Sequence, residues 1–145
     1  MRTGIILISL FVCTSVWATD FTGMWTGHGL FETRSQGSNP SQVELTIKQT
    51  ADSFKIKECY NFKKDDVIWH WCSTSDLRIV GTDLLQQDFI IGTMSEDLII
   101  IDYNFNGEVT HGRIEILPNG LMNYSLESTN AAGPVEKKEG YDLKN

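Results

Sequence analysis

SFKIKECYNFKKDDVIWHWCST, residues 53–74, alternates in character on both sides of an Asp-Asp centre. On the first arm Phe54, Ile56, Tyr60 and Phe62 share one side of an extended strand, with Glu58 the single charged residue in that row, while Lys55, Lys57, Cys59 and Asn61 share the other. If Asp65 and Asp66 form a two-residue hairpin loop, Tyr60 faces Trp71, Phe62 faces Trp69 and Cys59 faces Cys72. Aromatic pairs across strands are favoured by roughly 0.2 to 1 kcal/mol. Counting outward from the loop puts the cysteines on a non-hydrogen-bonded pair, where Cα atoms approach to roughly 4.5 Å and a disulfide fits. Ring pairing and sulfur pairing thus select one register independently. Asp-Asp is a weaker turn former than Asp-Gly, so a four-residue loop with a shifted register is the alternative.

Similar short runs recur along the chain, separated by turn formers. The expected strands are 22–32, 41–50, 53–63, 67–74, 76–80, 84–94, 97–104, 109–117, 121–128 and 139–143. Between them stand Ser38-Asn39-Pro40, Ala51-Asp52, Lys64-Asp65-Asp66, Gly81-Thr82-Asp83, Ser95-Glu96-Asp97, Asn106-Gly107 and Pro118-Asn119-Gly120. No long amphipathic helix interrupts the series. The pattern predicts an all-β domain, an antiparallel up-and-down β-barrel of roughly 8–10 strands that removes exposed edges by closing on itself. A two-sheet β-sandwich is the alternative.

Residues 1–18 have the parts of an export signal: Arg2, an apolar run from Ile5 to Val12, and small-residue cleavage geometry at Val16-Trp17-Ala18. The run is too short for a spanning helix of roughly 20 residues. The expected mature domain is 19–145, secreted or periplasmic. The chain has 12 basic and 19 acidic residues, a formal net charge of −7, and removing Arg2 with the leader takes it one further, to −8. Such a surface repels phosphate backbones and anionic lipid, which argues against nucleic acid and stable membrane insertion. Cys59 and Cys72 survive cleavage, and an even pair in an oxidising compartment predicts a disulfide.

The expected first strand opens Phe21-Thr22-Gly23-Met24-Trp25-Thr26-Gly27. This resembles the first-strand motif of lipocalins and related calycin barrels, in which Gly23 and Trp25 would stand at the motif's Gly-x-Trp. The resemblance implies an indole packed across the closed end of a barrel, with Arg113 as a late-strand arginine resting on it. Avidin-like barrels share the Gly-x-Trp start. Gly23-x-Trp25-x-Gly27-x-Gly29 is also similar to the opening of nitrobindin-like haem barrels, although that likeness stops after the first strand. Glycine here has a physical use as well, because it permits bending and close backbone approach.

Ile47, Phe54, Ile56, Glu58, Tyr60, Trp69 and Trp71 are the expected ligand-lining residues, an apolar wall with one inward carboxylate. Gln49, expected inward near the same end of the second strand, is the neighbour expected to share the ligand contact of Glu58. A barrel of this size is either filled by its side chains or holds one small ligand, and the sequence leaves both readings open. His28, His70 and His111 lie on three different expected strands, without His-x-His or Cys-x-x-Cys spacing, so no metal site is expected. Haem would need a single inward histidine, with His111 the candidate if its strand is turned. No serine sits in a nucleophile elbow, and the paired carboxylates fall in turns, so no enzyme is expected. The expected function is a monomeric binding protein for a small hydrophobic or aromatic molecule. The competing reading is a filled barrel that engages a protein partner through Thr33 to Ser41 and Asn130 to Val135.

Overall fold

The computed structural model describes residues 19–145, and the expected leader, with Arg2 and Cys13, lies outside the described residues. The strands are β1 Gly23–Thr33, β2 Gly37–Gln49, β3 Ser53–Lys64, β4 Val67–Val80, β5 Asp83–Gln86, β6 Phe89–Met94, β7 Leu98–Phe105, β8 Glu108–Ile116, β9 Met122–Asn130 and β10 Gly133–Lys144. Each pairs antiparallel with the next, and β1 pairs with β10, so the sheet closes as an up-and-down barrel rather than splitting into a sandwich. No helix among the described residues is long and apolar enough to cross a membrane.

The β3–β4 hairpin has the register that the two-residue loop predicts. Asp65 and Asp66 both take positive φ, 51° and 62°, and Cys59 faces Cys72, Tyr60 faces Trp71 and Phe62 faces Trp69. A disulfide joins Cys59 and Cys72, whose Cα atoms are 4.2 Å apart.

Other boundaries differ from expectation for identifiable reasons. Ser38-Asn39-Pro40 is no turn but part of β2, so the expected loop from Thr33 to Ser41 contracts to residues 34–36. Proline is tolerated there because pairing with β3 begins only at Gln42, leaving no ladder bond that Pro40 must donate on that side. Beyond that point Lys64 Nζ donates to the Gln36 carbonyl at 2.7 Å and ties the two strands. The runs 67–74 and 76–80 form one strand, whereas 84–94 is broken by a turn at Gln87, whose φ is 56°. No glycine, proline or asparagine marks that turn in the sequence. The last strand begins at Gly133, not at 139.

Closure depends on β1. A Cβ on Gly29 would stand 1.8 Å from the Glu139 carbonyl oxygen of β10, a backbone atom that cannot swing aside. Gly29 therefore sets how closely the first and last strands approach. Gly29→Ala is expected to lower unfolding stability by about 1–3 kcal/mol, the usual scale of overpacking. Urea unfolding followed by tryptophan fluorescence measures it, with exposed Thr26→Ala as the control; equal midpoints would refute the close-approach role.

The wall is not uniform. β5 is short and meets β4 only over Arg78↔Leu85 to Val80↔Asp83, so Val67–Leu77 has no partner strand on that side among the described residues. β6 likewise meets β7 only from Gly92↔Ile101 to Met94↔Ile99. The barrel is thus fully knit at the end holding the 50–52, 81–82 and 95–97 turns. It opens along one flank toward the other end.

Candidate functional site

Burial follows the same axis. At the knit end Phe21, Trp25, Ile47, Phe54, Leu84, Met94, Ile99, Met122 and Leu143 form an apolar plug. Trp25 is buried in it, and its indole Nε1 donates to the Phe21 carbonyl at 3.0 Å. Arg113 does not rest on the indole: the guanidinium is on the outer face, paired with Glu115 at 3.0 Å. Gln49 also belongs to this end, accepting from Phe21 N at 3.0 Å, while Glu58 pairs with Leu45 farther along β2, so these two polar residues do not meet.

The middle of the barrel is polar. Glu58 on β3 reaches across the interior to β9 and β10, where the Tyr124 hydroxyl donates to its Oε2 and Lys138 Nζ donates to its Oε1 at 2.5 Å. Lys138 also pairs with Glu136 at 2.9 Å and stands 4.8 Å over the Trp71 ring. The side chains of Lys138 and Glu58 are only 5% and 8% exposed, so this ion pair is largely out of water. Two carboxylates against one ammonium leave the cluster with an excess of negative charge when all are ionised.

Tyr60 borders the cluster. Its hydroxyl is fully buried and neighbours Tyr124, yet it finds no hydrogen-bond partner among the described residues. Burial, reinforced by the Glu58 carboxylate, pushes both phenols well above the ordinary tyrosine range. Each hydroxyl therefore keeps its proton as a donor, and Tyr124 spends its own on Glu58. Tyr60 is left without a well-formed hydrogen bond, the Tyr124 oxygen being a neighbouring acceptor in poor geometry.

Above the cluster, toward the open end, aromatic rings pack together. Phe31 lies 5.4 Å from Phe62 in a stacked arrangement and 5.0 Å from Trp71. Trp69 stacks on Phe62 at 6.4 Å but is 44% exposed, so it caps the rim rather than lining the interior. Across the opened flank, Phe89, Ile90, Ile91, Tyr103 and Phe105 border a cleft of about 390 Å³ between the β5–β6 hairpin and β7.

The seven residues expected to line one site are therefore divided. Ile47 and Phe54 belong to the plug, Ile56 lies between, Glu58, Tyr60 and Trp71 meet at the cluster, and Trp69 is at the rim. Lys138, Tyr124 and Phe31 complete the arrangement and were not among those expected. Tyr124 had a usable signal, the alternation Met122, Tyr124, Leu126; Lys138 had none, since Glu136, Lys137, Lys138 and Glu139 are all charged.

All three histidines stand on the outside. His28, His70 and His111 are exposed, and His111 Nδ1 lies 3.2 Å from Asp102, so the turned strand that an axial haem ligand would require is not the one present. No protein-family model matches the chain, and no curated protein matches it. The architecture is that of a closed ten-stranded antiparallel barrel, compatible with a lipocalin-like one, with a charged and phenolic cluster inside.

Proposed function

We propose that the chain is an exported, lipocalin-like binding protein that holds a small aromatic or hydrophobic molecule bearing a hydrogen-bond acceptor, and that it catalyses nothing. The observation that carries this reading is the buried Tyr60 hydroxyl, which makes no well-formed hydrogen bond among the described residues. A buried donor left unpaired costs about 1–3 kcal/mol, which a ligand oxygen placed against it would recover. Phe31, Phe62 and Trp71 are flat apolar rings packed beside that donor, between which a flat ligand would insert, and the incompletely paired flank along β4 is its proposed approach. The Cys59 to Cys72 bond agrees with an oxidising compartment, as does the acidic surface with a freely soluble carrier.

Tryptophan fluorescence tests the reading, because Trp71 adjoins the cluster. Titration with flat lipophilic molecules, each paired with an analogue lacking the acceptor oxygen, should give saturable change with the acceptor-bearing members. Tyr60→Phe should weaken those about tenfold, one hydrogen bond's worth, and leave the analogues unaffected. Absence of any saturable response across the panel would sink the proposal.

One observation favours a second reading, in which the barrel works through a protein partner. Ile68, Phe89, Ile90 and Phe105 are exposed on hairpin ends that share one rim. The two segments expected to act as binding loops are joined there as well, since Arg34 donates to the Pro134 and Gly133 carbonyls and to Asn130 Oδ1 at 3.0–3.1 Å. A barrel acting only through this rim is indifferent to Tyr60→Phe, which separates the two readings.

A further inference from the structure

On the outer face of the β3–β4 hairpin, away from the interior cluster, three donor atoms converge. Cys59 faces Cys72, and two residues nearer the turn Asn61 faces His70, so all four side chains leave the same side of the two strands. His70 Nε2 lies 3.1 Å from Cys72 Sγ. Both sulfurs and an imidazole nitrogen fall within 4.8 Å of one another. In a tetrahedral zinc site, with Zn–S about 2.3 Å and Zn–N about 2.0 Å, ligand atoms sit roughly 3.5–3.8 Å apart, so the side chains need only small movements.

The other ring nitrogen settles the orientation. Nδ1 of His70 is hydrogen-bonded to Asn61 Oδ1, and an amide oxygen only accepts, so in the neutral ring Nδ1 carries the proton and the Nε2 lone pair faces the sulfur. A disulfide sulfur has no proton to give, so this lone pair gains no hydrogen bond from Cys72 while the cysteines are joined. Histidines that bind metals are held in this way, one nitrogen tied by an acceptor and the other free to coordinate.

We infer that the Cys59 to Cys72 bond masks a zinc-class cation site whose ligands are Cys59 Sγ, Cys72 Sγ and His70 Nε2, with Asn61 as the positioning residue. A dithiol reductant opens it: two electrons and two protons pass to the disulfide, giving two protein thiols, and the reductant leaves as its own disulfide. The two thiols then release their protons to solvent as the cation takes two thiolates and the neutral imidazole, leaving its fourth position to water. Two thiolates balance the charge of a divalent ion. The site lies on the outer wall and does not depend on what the interior holds.

Cobalt(II), a spectroscopic substitute for zinc, tests this in the full chain carrying Cys13→Ser, so that only the hairpin thiols report. After reduction with a phosphine, one equivalent of cobalt should bring thiolate-to-metal charge-transfer and tetrahedral d–d absorption, both abolished by zinc, whereas the oxidised protein should show neither. His70→Ala should lower the affinity of the reduced protein at least tenfold. Asn61→Ala should lower it about tenfold and keep the charge-transfer band. If reduction alone unfolds the barrel, zinc must restore its near-ultraviolet circular dichroism. The inference is overturned by a reduced protein without charge-transfer absorption, by affinity unchanged in His70→Ala, or by a reduced chain that stays unfolded with zinc.

Discussion

Replacing Lys138 by methionine is expected to cost the barrel about 3–5 kcal/mol of stability, the scale of removing one partner from a buried ion pair. The substitution preserves most of the side-chain volume, so the loss is not that of a cavity. What remains is the Glu58 carboxylate, nearly out of water, with only the Tyr124 hydroxyl to receive its charge. The reverse truncation, Glu58→Leu, should cost less. Lys138 then keeps Glu136, which is 26% exposed and lies 2.9 Å away, and keeps the face of Trp71. The double variant removes both charges and should recover most of the loss, because an apolar pair of similar volume avoids the desolvation that the ion pair suffers. Urea unfolding of the four proteins gives the cycle directly. A Lys138→Met protein as stable as the parent would mean that the cluster is hydrated and that no buried pair spans the barrel.

The same pair shows where sequence reading stops. Phe54, Ile56, Glu58, Tyr60 and Phe62 could be placed on one face because four apolar residues flank a single charge, and the period of two leaves no other assignment. Glu58 was therefore legible as an inward carboxylate. Its partner was not. Residues 136 to 139 are charged on both faces of β10, so alternation carries no information there, and the strand's first six residues read as a solvated run. Only the closing register, with Phe31 against Lys138, turns that ammonium inward. Long-range pairing of the first and last strands is a property of the closed sheet, and no local pattern encodes it.

Metal-donor convergence was illegible for a related reason. His70 and Cys72 are two apart in sequence, but the third donor comes from the facing strand, so spacing rules built for loops and helices pass over it. The register that brought the sulfurs together also brought Asn61 opposite His70. That second pairing was implicit in the first.

Losing the disulfide should lower stability by about 3 kcal/mol, the chain-entropy scale for a loop of nearly this length, since the cysteines are 13 residues apart. Cys59 is almost fully buried, so alanine is the proper replacement there, where serine would add the cost of an unpaired hydroxyl; Cys72 is exposed, and alanine is used to match. Urea midpoints of Cys59→Ala/Cys72→Ala and of the reduced parent should agree. Equal thiol counts in the unfolded parent with and without reductant would show that no bond forms at all. The damage should also be local. From Val67 to Leu77, β4 is held by β3 alone, because β5 pairs only from Arg78 onward, and the disulfide lies within that one-sided stretch. Without it, amide hydrogens of Val67 to Asp76 should exchange faster by a larger factor than those around Trp25 and Ile47 in the apolar plug. The cross-link therefore supports the wall that carries Trp71, and through it the edge of the interior cluster. Uniform acceleration across both regions would instead mean that the bond acts only on the unfolded chain.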